Sequence, residues 1–169
     1  ELIETLPNFN LYEEFWKFYT NLDYQTPQYI GGEAEVHRSI ISEGCEIYGT
    51  VINSVLGPGV IVENGAVIRD SIVMANSVLK EGVVLDRCIV AENCIINQNV
   101  KIGEGENIPN KDKPSIYNTG ISVVGENTTI PEGIWIGKNC VVYGDTTPTH
   151  YDNGRLESGC SLILEGVEA

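Results

Sequence analysis

Positive charge is scarce in this chain: 10 Lys and Arg stand against 24 Asp and Glu, a formal net charge of −14 over 169 residues. Such a surface gains no counterion-release energy from a phosphate backbone and is repelled by an anionic lipid surface, so neither nucleic acid nor membrane is expected as a partner. Long apolar runs are also missing. None approaches the roughly 20 residues that span a bilayer, and the opening ELIETLPNFN lacks the basic start and apolar centre of a signal peptide. The expected location is cytoplasmic.

Catalytic signatures are equally thin. Histidine occurs twice, at His37 and His150, and no GxSxG elbow, HExxH or P-loop is present. The five cysteines, Cys45, Cys88, Cys94, Cys140 and Cys160, are odd in number and form no CxxC pair, which argues against both a disulfide framework and a zinc site. Four lie in β-rich stretches where Ser, Ala or Gly takes the equivalent place, as expected of small buried hydrophobes. Gly-x-Gly pairs such as Gly57-Pro58-Gly59 and Gly103-Glu104-Gly105 open no helix after a strand, so they read as chain corners rather than phosphate cradles.

What the sequence has in quantity is glycine, 18 of them, set among Val/Ile-rich stretches, a composition that favours β structure with many turns. Shifting the chain by one repeat superimposes GVIVENGAVIRDSIV, NSVLKEGVVLDRCIV and NCIINQNVKIG. Gly65 then falls on Gly82 and Asn99, Ile68 on Leu85 and Ile102, and Ser71 on Cys88. An earlier copy, GCEIYGTVINSVL, is shorter between its glycine and its Ser-Val. Each unit holds three short strands joined by tight corners. Farther on, Val124, Ile130, Ile136 and Val142 recur at the hexapeptide period of a parallel β-helix. One coil cannot bury its own aliphatics, whereas stacked coils share a core and satisfy each other's amides at about 4.8 Å spacing. The register places Arg69 by Asp86 and Asp70 by Arg87 in adjacent coils, pairs worth at most about 1 kcal/mol each on an exposed face.

Two stretches break the period. EGENIPNKDKPSIYNTG, residues 104–120, is an excursion that reads either as a grafted functional loop or as a tolerated insertion. A second loop is expected over 144–158, with SLILEGV returning as a last strand. Ahead of the repeat, NLYEEFWKFYTNLDY places Leu11, Tyr12, Phe15, Trp16, Phe18 and Tyr19 on nearly every side of a short helix, which needs a covering partner. The expected organisation is a helical packing segment over 1–30 and a β-helix domain over 31–169. A start at Glu1 rather than Met suggests a piece of something longer.

NLYEEFWKFYT followed by PQYI, then SIISEGCEIYGTVINSVLGPGVIVENGAVIRDSIVM, and later GISVVGENTTIPEG, together resemble the C-terminal region of the bacterial glucose-1-phosphate adenylyltransferase (ADP-glucose pyrophosphorylase) family. The resemblance covers nearly the whole chain. It implies an all-β, left-handed parallel β-helix; handedness rests on the resemblance alone, since the general rule for parallel crossovers favours the right hand. It also implies a parent enzyme that makes ADP-glucose and pyrophosphate from ATP and glucose 1-phosphate for glycogen synthesis. Its N-terminal nucleotidyltransferase domain would carry catalysis, ATP and Mg2+. Nothing here matches that domain's glycine-rich motif, so this chain is expected to be inactive, with no catalytic residue, cofactor or metal site of its own. Its implied roles are packing on the catalytic domain, building a tetramer and helping to form allosteric sites.

Activator lysines of the family stand in stretches resembling IDKN and VIKD. Here the stretches read VAEN and VVGEN, which puts Glu92 and Gly125 at those positions and weakens any anion site. Lys101, Lys111, Lys113, Lys138 and Arg155 are the remaining candidate effector contacts. Two other readings stay open. One is a non-catalytic regulatory paralogue. The other is a hexapeptide-repeat acyltransferase, which would need a trimer with His37 or His150 in a cleft between subunits. The γ-type carbonic anhydrases share the architecture but use three histidines, and two in the chain count against them.

Overall fold

A computed structural model of the chain describes residues 25–164 together with Ile3 and Phe15. The expected aromatic helix, apart from Phe15, and the end of SLILEGV lie outside the described residues. Strands of two or three residues follow one another with a corner after each, and every strand pairs in parallel with strands from neighbouring coils. They build three walls: a six-stranded sheet A running from Tyr29–Ile30 to Thr129–Ile130, a seven-stranded sheet B from Glu35–His37 to Arg155–Leu156, and a seven-stranded sheet C from Ile40–Ile41 to Ser161–Ile163. This is the all-β, left-handed parallel β-helix of hexapeptide-repeat chains, with about eight turns. Among the described residues no helix is long and apolar enough to cross a membrane.

The core follows from the period. Ile47, Val62, Leu79, Ile96 and Ile130 point inward from sheet A, each shielded from solvent. Val51, Ile68, Leu85, Ile102 and Ile136 do so from sheet B, and Leu56, Val73, Val90, Val124 and Val142 from sheet C. Burial of each such side chain contributes about 1.5–3 kcal/mol. Ile68 pairs with Leu85, and Leu85 with Ile102, in the register read from the sequence.

At the corner between sheets B and C the column is small and polar rather than aliphatic. Ser71 is 2% exposed; its hydroxyl donates to Arg69 O at 2.6 Å and accepts from Cys88 N at 3.0 Å. Ser54 and Ser122 do the same for Ser71 N and Cys140 N. These hydroxyls satisfy amides that the sheet ladder leaves open at the bend. The corner between sheets C and A is turned by Asn76, Asn93 and Asn127 at φ between 53° and 58°, a left-handed backbone that asparagine tolerates. Their amides form a ladder, Asn76 to Asn93 at 3.5 Å and Asn93 to Asn127 at 3.2 Å.

Arg69 and Asp86 are register partners, as read from the repeat. Their charges, however, form no ion pair within 4.0 Å; the salt bridge present among the described residues joins Arg155 to Glu157 at 3.1 Å. Asp70 and Arg87 both sit at corner positions with positive φ, and Arg87 Nη2 turns away to donate to Thr119 O at 3.1 Å. Register is therefore held by backbone pairing and core fit rather than by these charges.

The 104–120 excursion leaves after Lys101–Ile102 and returns at Ser122–Val124, which stacks directly on Cys88–Val90. Gly103 begins it at φ 95°, where a Cβ would collide with Asp86 O; only glycine fits that exit. The later stretch read as loop over 144–158 is corrected by the structure. It contains a 3-10 turn, Pro148–His150, and then strand Arg155–Leu156, which pairs with Trp135–Ile136. The strand was hidden because the preceding turn stretches the coil beyond its usual spacing. Sheet A likewise begins at Tyr29–Ile30, two residues ahead of the boundary placed after residue 30.

Candidate functional site

The 104–120 excursion is fastened at two buried asparagines. Asn110, 1% exposed, donates through Nδ2 to Asn139 O and to Ser161 Oγ, both at 3.0 Å. Its Oδ1 accepts from the amides of Asp112 and Lys113, both at 3.0 Å. Asn139, fully buried at a corner with φ 55°, donates to Asn107 Oδ1 and Ile108 O and accepts from Gly120 N at 2.6 Å. Each amide thus uses both its donor and acceptor ends, which ties the loop's two limbs to the stack. Fixed in this way, the loop forms a cleft on either side.

One cleft, of about 330 Å3, lies between the loop and the last strands of sheet C. Tyr117 and Tyr143 are its aromatic walls, Val123, Val141 and Ile163 its apolar floor, and Lys113 its single cation, with Asp112 and Glu126 also on the lining. Gly125 is part of this lining too. A Cβ on Gly125 would run into the ring of Tyr143, so Tyr143 fills the space that a side chain from that position would need. Glu92 lies exposed at the corner between sheets C and A.

The other cleft, of about 450 Å3, lies toward sheet B, where Lys111 and Arg155 meet Trp135 with Glu106 and Glu157 alongside. The Arg155 guanidinium stands 4.0 Å over the Trp135 ring and ion-pairs with Glu157. Lys111 Nζ donates to Cys160 Sγ at 3.2 Å, and this hydrogen bond raises the lysine pKa, keeping the ammonium protonated. Two cations beside an indole face suit a ligand with both an anionic group and a flat or apolar face. An entering anion must displace Glu157 from Arg155.

Of the sequence-derived candidates, the structure brings Lys111 and Arg155 into one cleft and Lys113 into the other. Lys101 is exposed on sheet B, paired in register with Trp135 and outside the lining of either cleft. Lys138 contributes its backbone, accepting from Gly159 N at 2.8 Å and donating to Ser158 Oγ at 3.1 Å. Trp135, Tyr117, Tyr143 and Asn110 were not singled out from the sequence. A glycine facing a tyrosine one coil later was the available clue for Tyr143; Asn110 offers none, being one polar residue in a polar loop.

Neither cleft pairs a nucleophile with a base. His37 belongs to the first coil, in Glu35–His37, and His150 to the last, in Pro148–His150, where its Nδ1 accepts from Thr147 N at 3.1 Å. Both are exposed. Among the described residues no three His, Cys, Asp or Glu side chains are placed to hold a metal ion. Four thiols are buried: Cys45 donates to Gly57 O at 3.1 Å, Cys94 to Gly125 O at 3.0 Å and Cys140 to Glu157 O at 3.2 Å. Burial raises the pKa of Cys88 steeply and that of Cys140 to about 11, so these thiols stay neutral and unreactive. Cys160 is half-buried.

Relatives carry a consistent name. The chain is 59% identical over 98% of its length to the glucose-1-phosphate adenylyltransferase of Lachnospira eligens, and 45% identical over 98% to that of Acetivibrio thermocellus. It spans about 39% of the length of these relatives. Among solved structures, the acetyltransferase domain of PglB from Neisseria gonorrhoeae in complex with acetyl coenzyme A is similar at 15% identity and a TM-score of 0.39, covering 83% of this chain and 56% of that one. The GlmU-like, C-terminal hexapeptide family model matches residues 27–124, more than half of the chain. With its sequence repeat and its stacked coils in agreement, the chain belongs to the GlmU-like C-terminal hexapeptide family.

Proposed function

We propose that this chain is the C-terminal β-helix domain of a glucose-1-phosphate adenylyltransferase, the enzyme that converts ATP and glucose 1-phosphate into ADP-glucose and pyrophosphate. The observation that carries the reading is the 59% identity over 98% of the chain to a protein of that name. ATP, Mg2+ and the chemical step belong to an N-terminal nucleotidyltransferase domain outside these residues. The β-helix, from strand Tyr29–Ile30 onward, serves as a rigid support and subunit contact in a cytoplasmic homotetramer, and the segment ahead of it packs between the domains.

Regulation is the second part of the proposal. Lys111 and Arg155 beside Trp135 form the anion contact, with Lys113 at the neighbouring cleft and Lys101 and Lys138 peripheral. Because Glu92 and Gly125 replace cations, phosphorylated activators are bound weakly. Full-length protein assayed for ADP-glucose formation is expected to turn over, and the 169-residue chain alone is not. Activity in the isolated chain, or many-fold stimulation of the full-length enzyme by a sugar bisphosphate, would refute the corresponding part.

A further inference from the structure

The three walls differ in what they show to solvent. The outward row of sheet A runs Tyr29, Glu46, Ile61, Val78, Ile95 and Thr129, with a carboxylate at Glu46, and outward positions on sheet B include Glu35, Arg69 and Lys101. Sheet C has no charge on its outward row. Ile40, Val55, Ile72, Ile89, Val123 and Val141 stand in register one above another. Ile72 is 43% exposed and the adjacent Met74 is 40% exposed. The loop stands over Val123 and Val141, so the strip from Ile40 to Ile89 is the open part. A continuous apolar strip on a chain of net charge −14 calls for a cover.

The edges of the strip indicate which cover. Arg38 precedes and Glu43 follows the strand Ile40–Ile41; Arg87 precedes and Glu92 follows the strand Cys88–Val90. All four are exposed, and Arg87, which donates through Nη2 to Thr119 O, keeps its other guanidinium N–H groups for a partner. One long edge of the strip thus carries arginine at two heights, and the other carries glutamate at the same two heights. A two-fold axis parallel to the coil axis lays each edge against the opposite edge of a second copy, level by level. Arg38 then meets Glu43 and Arg87 meets Glu92, each twice. The intervening coils set Asn53 opposite Pro58 and Asp70 opposite Ala75, so no like charges oppose. A two-fold axis along the strands would instead set arginine edge against arginine edge.

We infer that the open strip of sheet C is an interface with a second copy of this chain, the two coils lying side by side and parallel, with the Arg87–Glu92 and Arg38–Glu43 pairs at its margins. This deepens the oligomerisation part of the proposed function. Four strands at about 4.8 Å spacing make a contact short of the roughly 800 Å2 per partner of a standard interface, so the association is weak and concentration-dependent.

Sedimentation of the 169-residue chain over micromolar to millimolar concentration tests it. A reversible dimer is expected, with Ile72→Glu weakening it at least about tenfold while leaving the melting temperature unchanged. Arg87→Glu and Glu92→Arg should each weaken it, and an equimolar mixture of those two variants should restore it, because each then faces its complement. A chain that stays monomeric throughout, a dimer indifferent to Ile72→Glu, or single reversals that the mixture does not rescue would each overturn the inference. ADP-glucose synthesis by the full-length enzyme is a separate readout, so failure of the interface and failure of the proposed activity are distinguishable.

Discussion

The side-chain amide of Asn110 donates to the backbone carbonyl of Asn139 at 3.0 Å across 29 residues of chain. That single side chain joins the middle of the excursion to a corner of the stack, and Asn139 returns the favour by holding Asn107, Ile108 and Gly120. Asn110→Ala leaves the amides of Asp112 and Lys113 without their acceptor, and a cost of about 2–3 kcal/mol is expected. Chemical denaturation should register it, and hydrogen exchange of residues 111–120 should accelerate. A loss under about 0.5 kcal/mol with unchanged exchange would show that the loop is held by something else.

The corner hydroxyls give a second test. Ser71→Ala removes the acceptor for Cys88 N, a buried donor, and should cost about 1–3 kcal/mol. Cys88→Ser is expected to change stability far less, because serine already holds the equivalent place in the coil below and Asp86 O is within reach as an acceptor. If both variants melt like the parent, the hydroxyl column is not a support.

Alkaline pH should destabilise the chain. Burial holds Tyr151 up at about 12, against an ordinary value of 10.0, the Thr146 hydroxyl at 2.9 Å only partly offsetting it, and Cys140 sits near 11 against 9.0. For each, the unfolded chain loses its proton first, so the folded state binds more protons and stability falls as pH rises. The contribution is whole below pH 9, fades from 9 to 11 for Cys140 and from 10 to 12 for Tyr151. Denaturation midpoints measured from pH 8 to 11.5 should fall, and Cys140→Ser should flatten the lower part of that fall.

Installing the family's lysines separates the two positions. Glu92→Lys lies on an exposed corner and should fold normally, strengthening the response of the full-length enzyme to phosphorylated effectors. Gly125→Lys must push the Tyr143 ring aside and should lose about 1–3 kcal/mol. Equal tolerance of both in thermal melts would mean that Tyr143 moves freely.

Thiol titration of the native chain is expected to find one fast-reacting cysteine, Cys160, the other four being buried. Fast modification of two or more would show that the core opens readily.

Much of the architecture was legible because a solenoid's contacts are nearly all between adjacent repeats. The partners of Leu85 are Ile68 and Ile102, and a self-alignment finds both. The clamp at Asn110 is different. Its partners, Asn139 and Ser161, lie in coils reached only after the excursion closes, and no periodicity links them. The strand Arg155–Leu156 was lost for a related reason: the turn before it lengthens the coil, so an alignment at fixed spacing steps past it. The charges at Arg69 and Asp86 were placed correctly in register, but exposed side chains answer to solvent as well as to register. The candidate clefts were the least legible, since Trp135 and Tyr143 face loops whose paths the repeat does not set.

Because Cys88–Val90 pairs directly with Ser122–Val124, the polypeptide between them can be severed without separating any two rungs. A single peptide-bond cut among residues 112–116 should therefore yield two fragments that co-purify, each presenting an intact end face to the other. In such an assembly the covalent thread and the stacked column that holds the shape are different objects.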